Sequence, residues 1–166
     1  ERVPPMKIEE IKVDGYEKVV RCEDEASGLK AIIAVHNLNL GSAVGGTRLF
    51  PYATDEDALT DVLRLAKGMT YKSALAGNNF GGGKSVIIAD PKDKTPELLK
   101  AFGKFVDTLG GIYVCAEDVN TSPDDMEVVY TETKHVAGLT KDGGDPSPYT
   151  AIGVVSAIEY TAEKLD

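Results

Sequence analysis

Residues 81–89 read Gly-Gly-Gly-Lys-Ser-Val-Ile-Ile-Ala, and the fold turns on whether this stretch opens a helix or enters a strand. A phosphate loop needs four residues between its first glycine and the Gly-Lys pair, and it opens a helix. Counting back from Lys84, the required glycine falls on Asn78; Gly77 is one place too early, with five residues between it and Gly83. The residues after Lys84 are short, apolar and β-branched, the pattern of a strand buried on both faces. No Gly-x-Gly-x-x-Gly occurs here or in Gly41-Ser-Ala-Val-Gly-Gly, so a dinucleotide fingerprint is absent as well.

Working outward, Lys30–His36 has the same strand character, Ile112–Cys115 is a third run and His135–Ala137 a weaker fourth. Val13–Cys22 reads as a strand nearer an edge. Helices alternate with them. Thr54 caps the first, followed by three acids that suit the positive end of a helix dipole, and Leu59, Val62, Leu63, Ala66 and Met69 recur at helical spacing. Thr95-Pro96 opens the second and Gly110-Gly111 stops it; Ser122-Pro123 opens the third; a last helix runs from about Thr150. This alternation predicts an α/β fold with a mostly parallel central sheet flanked by helices. Two glycine-rich stretches, Gly41–Gly46 and Gly77–Gly83, read as loops, where sites are commonly placed, and Lys141–Tyr149 as a boundary.

At 166 residues the chain makes one domain, two at most, and buries enough surface to fold without staples. Its 18 Lys and Arg against 27 Asp and Glu give a net charge of −9 without a basic block, which argues against nucleic acid as a partner. No apolar run is long enough to span a membrane, so no membrane partner is expected. Cys22 and Cys115, without neighbouring ligand types, read as reduced thiols of a cytoplasmic protein.

Two lysines stand out. Lys84 enters a buried strand between glycines that let backbone approach a ligand, and Lys72 lies just past the first helix. Lysines in partly apolar sites serve as carboxylate anchors or proton donors; a solvated surface position is the alternative for each. Glu117-Asp118 follows a buried strand at its carboxyl end, where ligand sites of open α/β sheets lie. Alternation along a strand lets only one of the two acids face a cleft, and a helix-start or salt-bridge role is the alternative. His36 and His135 sit at strand ends without a further ligand at sensible spacing, so both read as structural and no metal is expected.

Four segments in order, Gly41-Ser-Ala-Val-Gly-Gly-Thr-Arg, Lys67-Gly-Met-Thr-Tyr-Lys, Gly81-Gly-Gly-Lys and Ala116-Glu-Asp-Val, resemble the Glu/Leu/Phe/Val amino-acid dehydrogenases, the branched-chain members above all. The resemblance runs from about Leu29 to Ala157. It implies reversible, NAD-dependent oxidative deamination of an L-amino acid to a 2-oxo acid and ammonia. It implies that Lys72 anchors the substrate carboxylate, that Lys84 polarises the developing carbonyl and the attacking water, and that Asp118 is the general acid/base. Gly45 and Gly46 would line the cleft. Val44, Met69, Ala116 and Ala137 would surround the substrate side chain, and Thr150 would meet the nicotinamide carboxamide. Dicarboxylate-specific members carry lysine at the position matching Val44, so an apolar, branched-chain substrate is favoured; a buried γ-carboxylate would lack a partner.

The resemblance also implies that residues 1–148 form a substrate-binding and oligomerisation domain that associates with copies of itself. Residues 149–166 would begin the helix leading to a Rossmann domain absent from this chain. One departure stands at Asp145, where the relatives usually have Asn. A second functional reading stays open: a non-catalytic self-associating or amino-acid-binding module derived from the same family.

Overall fold

The computed structural model describes residues 5–143 and 145–165. Six strands form one sheet: β1 (Lys7–Glu10), β2 (Lys18–Asp24), β3 (Leu29–Asn37), β4 (Ala43–Phe50), β5 (Gly81–Ile88) and β6 (Tyr113–Glu117). The helices are α1 (Asp55–Leu75), α2 (Pro96–Asp107), α3 (Pro123–Tyr130) and α4 (Ser147–Leu165). The sheet order is β1-β2-β3-β5-β4-β6.

The α/β class is as expected, but the strand directions correct the mostly parallel reading. Three of the five pairings, β1/β2, β2/β3 and β3/β5, are antiparallel; only β5/β4 and β4/β6 are parallel. The cause is connection length. A parallel neighbour needs a crossover of a dozen or more residues, whereas only residues 25–28 separate β2 from β3. Strands β1, β2 and β3 therefore form a meander, and the parallel pairing of β4 with β5 comes from the crossover β4-α1-β5.

Buried side chains alternate along β3 as both-face burial requires. Ile32 and Ala34 join Val62, Ala66 and Val86 beneath α1, while Ile33 and Val35 join Phe102, Phe105 and Met126 beneath α2 and α3. Helices α1, α2 and α3 start at their expected caps, and α4 starts at Ser147, three residues before the expected Thr150. The Thr54 side chain accepts the N–H of Asp57, that of Thr95 accepts the N–H of Leu98, and Ser122 and Asp125 cap each other reciprocally.

Two expected loops are strands. Gly41–Gly46 runs into β4 and Gly77–Gly83 into β5, because glycine-rich backbone can pair as well as any other while lacking the β-branched signature that marks a strand. His135–Ala137 is reduced to one bridge, Val136 to Cys115. Among the described residues, no helix is long and apolar enough to cross a membrane. Cys22 and Cys115 are free and buried, and burial pushes both thiols up to about 12.

Candidate active site

The three chemically chosen side chains converge on the α1 face of the sheet. Lys84 projects from β5 and is only 5% exposed. Its ammonium donates to Asp118 Oδ1 at 2.7 Å. Asp118 follows β6 directly, where its backbone N–H donates to the Thr121 hydroxyl at 2.9 Å. Lys72 lies in the last turn of α1 rather than past the helix, because the helical pattern continues through Leu75. All three line one cleft of about 920 Å³.

The same cleft is lined by Val44, Gly45, Gly46, Met69, Ala116 and Thr150. Ala137 is not among its lining residues; its N–H donates to the Cys115 carbonyl at 2.8 Å, tying the segment to the far edge of β6. Both acids line the cleft, contrary to the one-face expectation. β6 ends at Glu117, so strand alternation no longer governs Asp118. Sequence reading also missed the wall given by α4, where Pro146, Ser147, Ala151, Val154 and Val155 face the sheet residues.

Glycine matters here for internal contact more than for ligand approach. A Cβ on Gly82 would fall 1.9 Å from Thr70 Oγ1, so the missing side chain lets α1 lie on β5. A Cβ on Gly46 would fall 2.7 Å from Asp118 Cβ and 2.7 Å from the Glu117 carbonyl, so Asp118 reaches Lys84 across bare backbone.

Electrostatics follow from these contacts. Burial pulls the Lys84 ammonium below its ordinary value, opposed by Asp118 and helped by Arg48 and Lys72. Burial would raise Asp118, but the Lys84 hydrogen bond and charge, the Val119 N–H and Arg48 prevail and hold the carboxyl below the usual range. Glu117 is pushed up, first by burial and then by Asp145 and Asp118. The unusual Asp145 accepts the N–H and hydroxyl of Ser147 at 2.8 and 2.6 Å, an anion placed at the start of α4.

Sequence reasoning missed Arg48, whose Nε donates to Asp118 Oδ2 at 3.0 Å. Its Nη1 donates to Asp61 Oδ2 at 3.0 Å, and the Tyr52 hydroxyl donates to that same oxygen at 2.6 Å. The available signal was an ionisable residue alternating with buried Thr47 and Leu49, concealed because Gly41–Gly46 read as a loop and no strand was expected after it. Beneath the site, the Tyr113 hydroxyl lies 2.8 Å from the Gly45 carbonyl and 2.9 Å from Ser85 Oγ, which lies 3.0 Å from Thr47 Oγ1. Of the two histidines, His36 Nδ1 lies 2.8 Å from Thr70 Oγ1, and the His135 ring sits against Gly111.

An α/β domain with a buried Lys–Asp pair and a second lysine in one apolar-walled cleft matches a known class. Residues 16–135 match the Glu/Leu/Phe/Val dehydrogenase dimerisation domain, and the chain belongs to that family. It is 52% identical over 153 residues to leucine dehydrogenase of Geobacillus stearothermophilus, an alignment spanning 90% of this chain and 42% of that one. It is 49% identical over 158 residues to phenylalanine dehydrogenase of Caldalkalibacillus thermarum, spanning 93% and 43%. The crystal structure of L-tryptophan dehydrogenase from Nostoc punctiforme superposes with a TM-score of 0.72 at 51% identity, covering 74% of this chain and 37% of that one. The chain thus spans less than half the length of the relatives it matches.

Proposed function

We propose that this chain is the substrate-binding and self-association domain of an NAD-dependent dehydrogenase, which reversibly converts an apolar L-amino acid into its 2-oxo acid and ammonia. The observation that carries the reading is the placement of Lys84, Asp118 and Lys72 around one cleft that also presents the apolar side chains Val44, Met69, Ala116 and Val154. The substrate carboxylate pairs with Lys72, its amino group faces Asp118 and its side chain lies among the apolar walls. Leucine is the preferred candidate, and the names of the relatives widen the range to aromatic side chains.

Among the described residues no dinucleotide cradle is present, since Gly81–Gly83 lie inside β5. What fits the cofactor is the nicotinamide end alone, through the Thr150 hydroxyl on the α4 wall. When bound, NAD accepts the hydride from Cα. The chain's own groups manage protons and water. In its neutral form, which burial favours, Lys84 takes a proton from the water that adds to the substrate iminium. Asp118 starts ionised, takes a proton from the substrate ammonium before the hydride leaves, and returns it to the amino group of the water adduct. The C–N bond then breaks with ammonia as leaving group while the adduct's hydroxyl gives its proton to Asp118. The carbonyl oxygen forms against the Lys84 ammonium, which is positioned by its bond to Asp118.

Residues 1–148 serve this site and the association of copies, and residues 149–166 lead towards a dinucleotide-binding domain. In support, α4 buries none of its side chains in this chain. Two buried, free thiols favour a cytoplasmic protein. The test expresses the complete reading frame and follows NAD reduction with leucine, valine, phenylalanine, tryptophan and glutamate. Turnover with an apolar substrate supports the reading. A pure protein that turns over none of them, yet still associates or binds amino acids, is the non-catalytic module instead.

A further inference from the structure

Asp118 is gripped at both oxygens, and only one grip belongs to the chemistry. Oδ1 accepts from Lys84 at 2.7 Å, and Oδ2 accepts from Arg48 Nε at 3.0 Å. Arg48 is held in turn by Asp61 of α1, the helix that also carries Met69 and Lys72 to the cleft. A carboxylate bound through one oxygen can rotate about its terminal torsion; bound through two, it presents a fixed plane. We propose, resting on the dehydrogenase reading of the cleft, that Arg48 is a positioning residue for the reaction: it orients Asp118 and keeps it anionic while Asp61 and Tyr52 hold the guanidinium still.

The surroundings support this role. Around Asp118 stand Lys84 from β5, Arg48 from β4 and Glu117 from β6, with Lys72 of α1 lining the same cleft; Tyr52 feels its charge, Asp61 acts on Arg48 and Tyr52, and Asp145 acts on Glu117. Of these, Lys84 and Arg48 are the cations hydrogen-bonded to it. A second cavity of about 400 Å³ is lined by Arg48, Phe50, Tyr52, Asp61 and Val119, and Val119 borders both spaces. Arg48 lines this second cavity and not the substrate cleft, whereas Asp118 lines the substrate cleft and not the second cavity, so a small molecule in the second cavity meets the guanidinium side of the pair.

That access gives a discriminating test in the complete enzyme. Arg48→Ala is expected to lower kcat roughly 10- to 100-fold, the scale of a misplaced catalytic group, with KM for the amino acid changed by less than about threefold. Tens of millimolar guanidinium should restore several-fold of the lost rate, entering the vacated space, while urea at equal concentration should not. Removing a cation raises the carboxyl's proton affinity, so the acidic limb of kcat/KM should move to higher pH. Tyr52→Phe, which loses one hydroxyl, keeps the test available if Arg48→Ala does not fold, and its expected loss of kcat is a few-fold. Unchanged kcat in either folded variant, a loss confined to KM, or equal rescue by urea overturns the proposal. If the wild type itself shows no turnover, the dehydrogenase reading fails; carboxyl ¹³C titration of Asp118 then decides this one, and an identical midpoint in wild type and Arg48→Ala overturns it.

Discussion

Gly46 and Asp118 come from opposite ends of the chain's crossover region, and the space where a Cβ on Gly46 would stand is taken up by Asp118, whose Cβ would lie 2.7 Å away. The side chain proposed as general acid/base thus leans on the backbone of β4. Its reach to Lys84 depends on a side chain that is not there.

Gly46→Ala should accordingly damage the site more than the fold. The new methyl meets Asp118 Cβ and the Glu117 carbonyl, and relief requires the end of β6 to shift. Overpacking of this kind costs about 1–3 kcal/mol. A thermal melt should show a folded protein with a lowered midpoint, and kcat of the complete enzyme should fall by an order of magnitude or more. Full activity with an unshifted melt would show that Asp118 does not depend on this contact.

The two lysines should separate kinetically. Lys84→Ala and Asp118→Asn are each expected to reduce kcat by roughly 100-fold or more, the scale of acid–base catalysis. Lys72→Ala should chiefly raise KM for the amino acid. Steady-state kinetics of the three variants checks the assignment; a Lys84→Ala enzyme with normal turnover would refute the role given to it.

The pH dependence of stability has a definite sign. The Asp118 carboxyl is held below its unfolded value of about 3.9, so its contribution is fully present above that value and is lost as pH falls through the lower folded one. Asp118→Asn also strands Lys84, only 5% exposed, without its partner. Breaking a buried pair in this way costs on the order of 3 kcal/mol. Denaturant titrations at pH 7 should show that deficit, and it should shrink as the pH is taken below about 3. A gap that stayed constant down to pH 2 would contradict the ion-pair account.

Tyr113→Phe tests the floor of the site. The hydroxyl is fully buried between the Gly45 carbonyl and Ser85, and its loss leaves both short of a partner. About 1–3 kcal/mol of stability should disappear, visible as a lower denaturation midpoint with an unchanged slope.

Substrate choice should respond to one position. Val44 borders the cleft among apolar neighbours, and Val44→Lys places an ammonium there. Turnover with glutamate should rise relative to leucine in the complete enzyme, measured as the ratio of kcat/KM. An unchanged ratio would remove Val44 from the side-chain pocket.

How much of this was readable before folding depended on the kind of signal. Helix starts at Thr54, Thr95 and Ser122 were legible because a cap is a local hydrogen bond between residues three apart. The both-face burial of β3 was legible from its apolar run. Strand β4 was hidden, since Ala-Val-Gly-Gly-Thr-Arg carries little β-propensity and its pairing is imposed by β5 and β6. With Gly41–Gly46 read as a loop and no strand read after it, Arg48 had no face and no role.

The linear sequence determined the reactive groups themselves, two lysines and an aspartate in recognisable segments, and the local turns and caps around them. Tertiary structure alone decided that Asp118 is held from both sides, by Lys84 34 positions earlier and Arg48 70 positions earlier. It also removed Ala137 from the cleft and brought α4 to it. The reason is physical: caps and propensities act within one turn of chain, whereas ion pairs and pocket walls are set by strand register and crossover, which join residues that chain order keeps far apart.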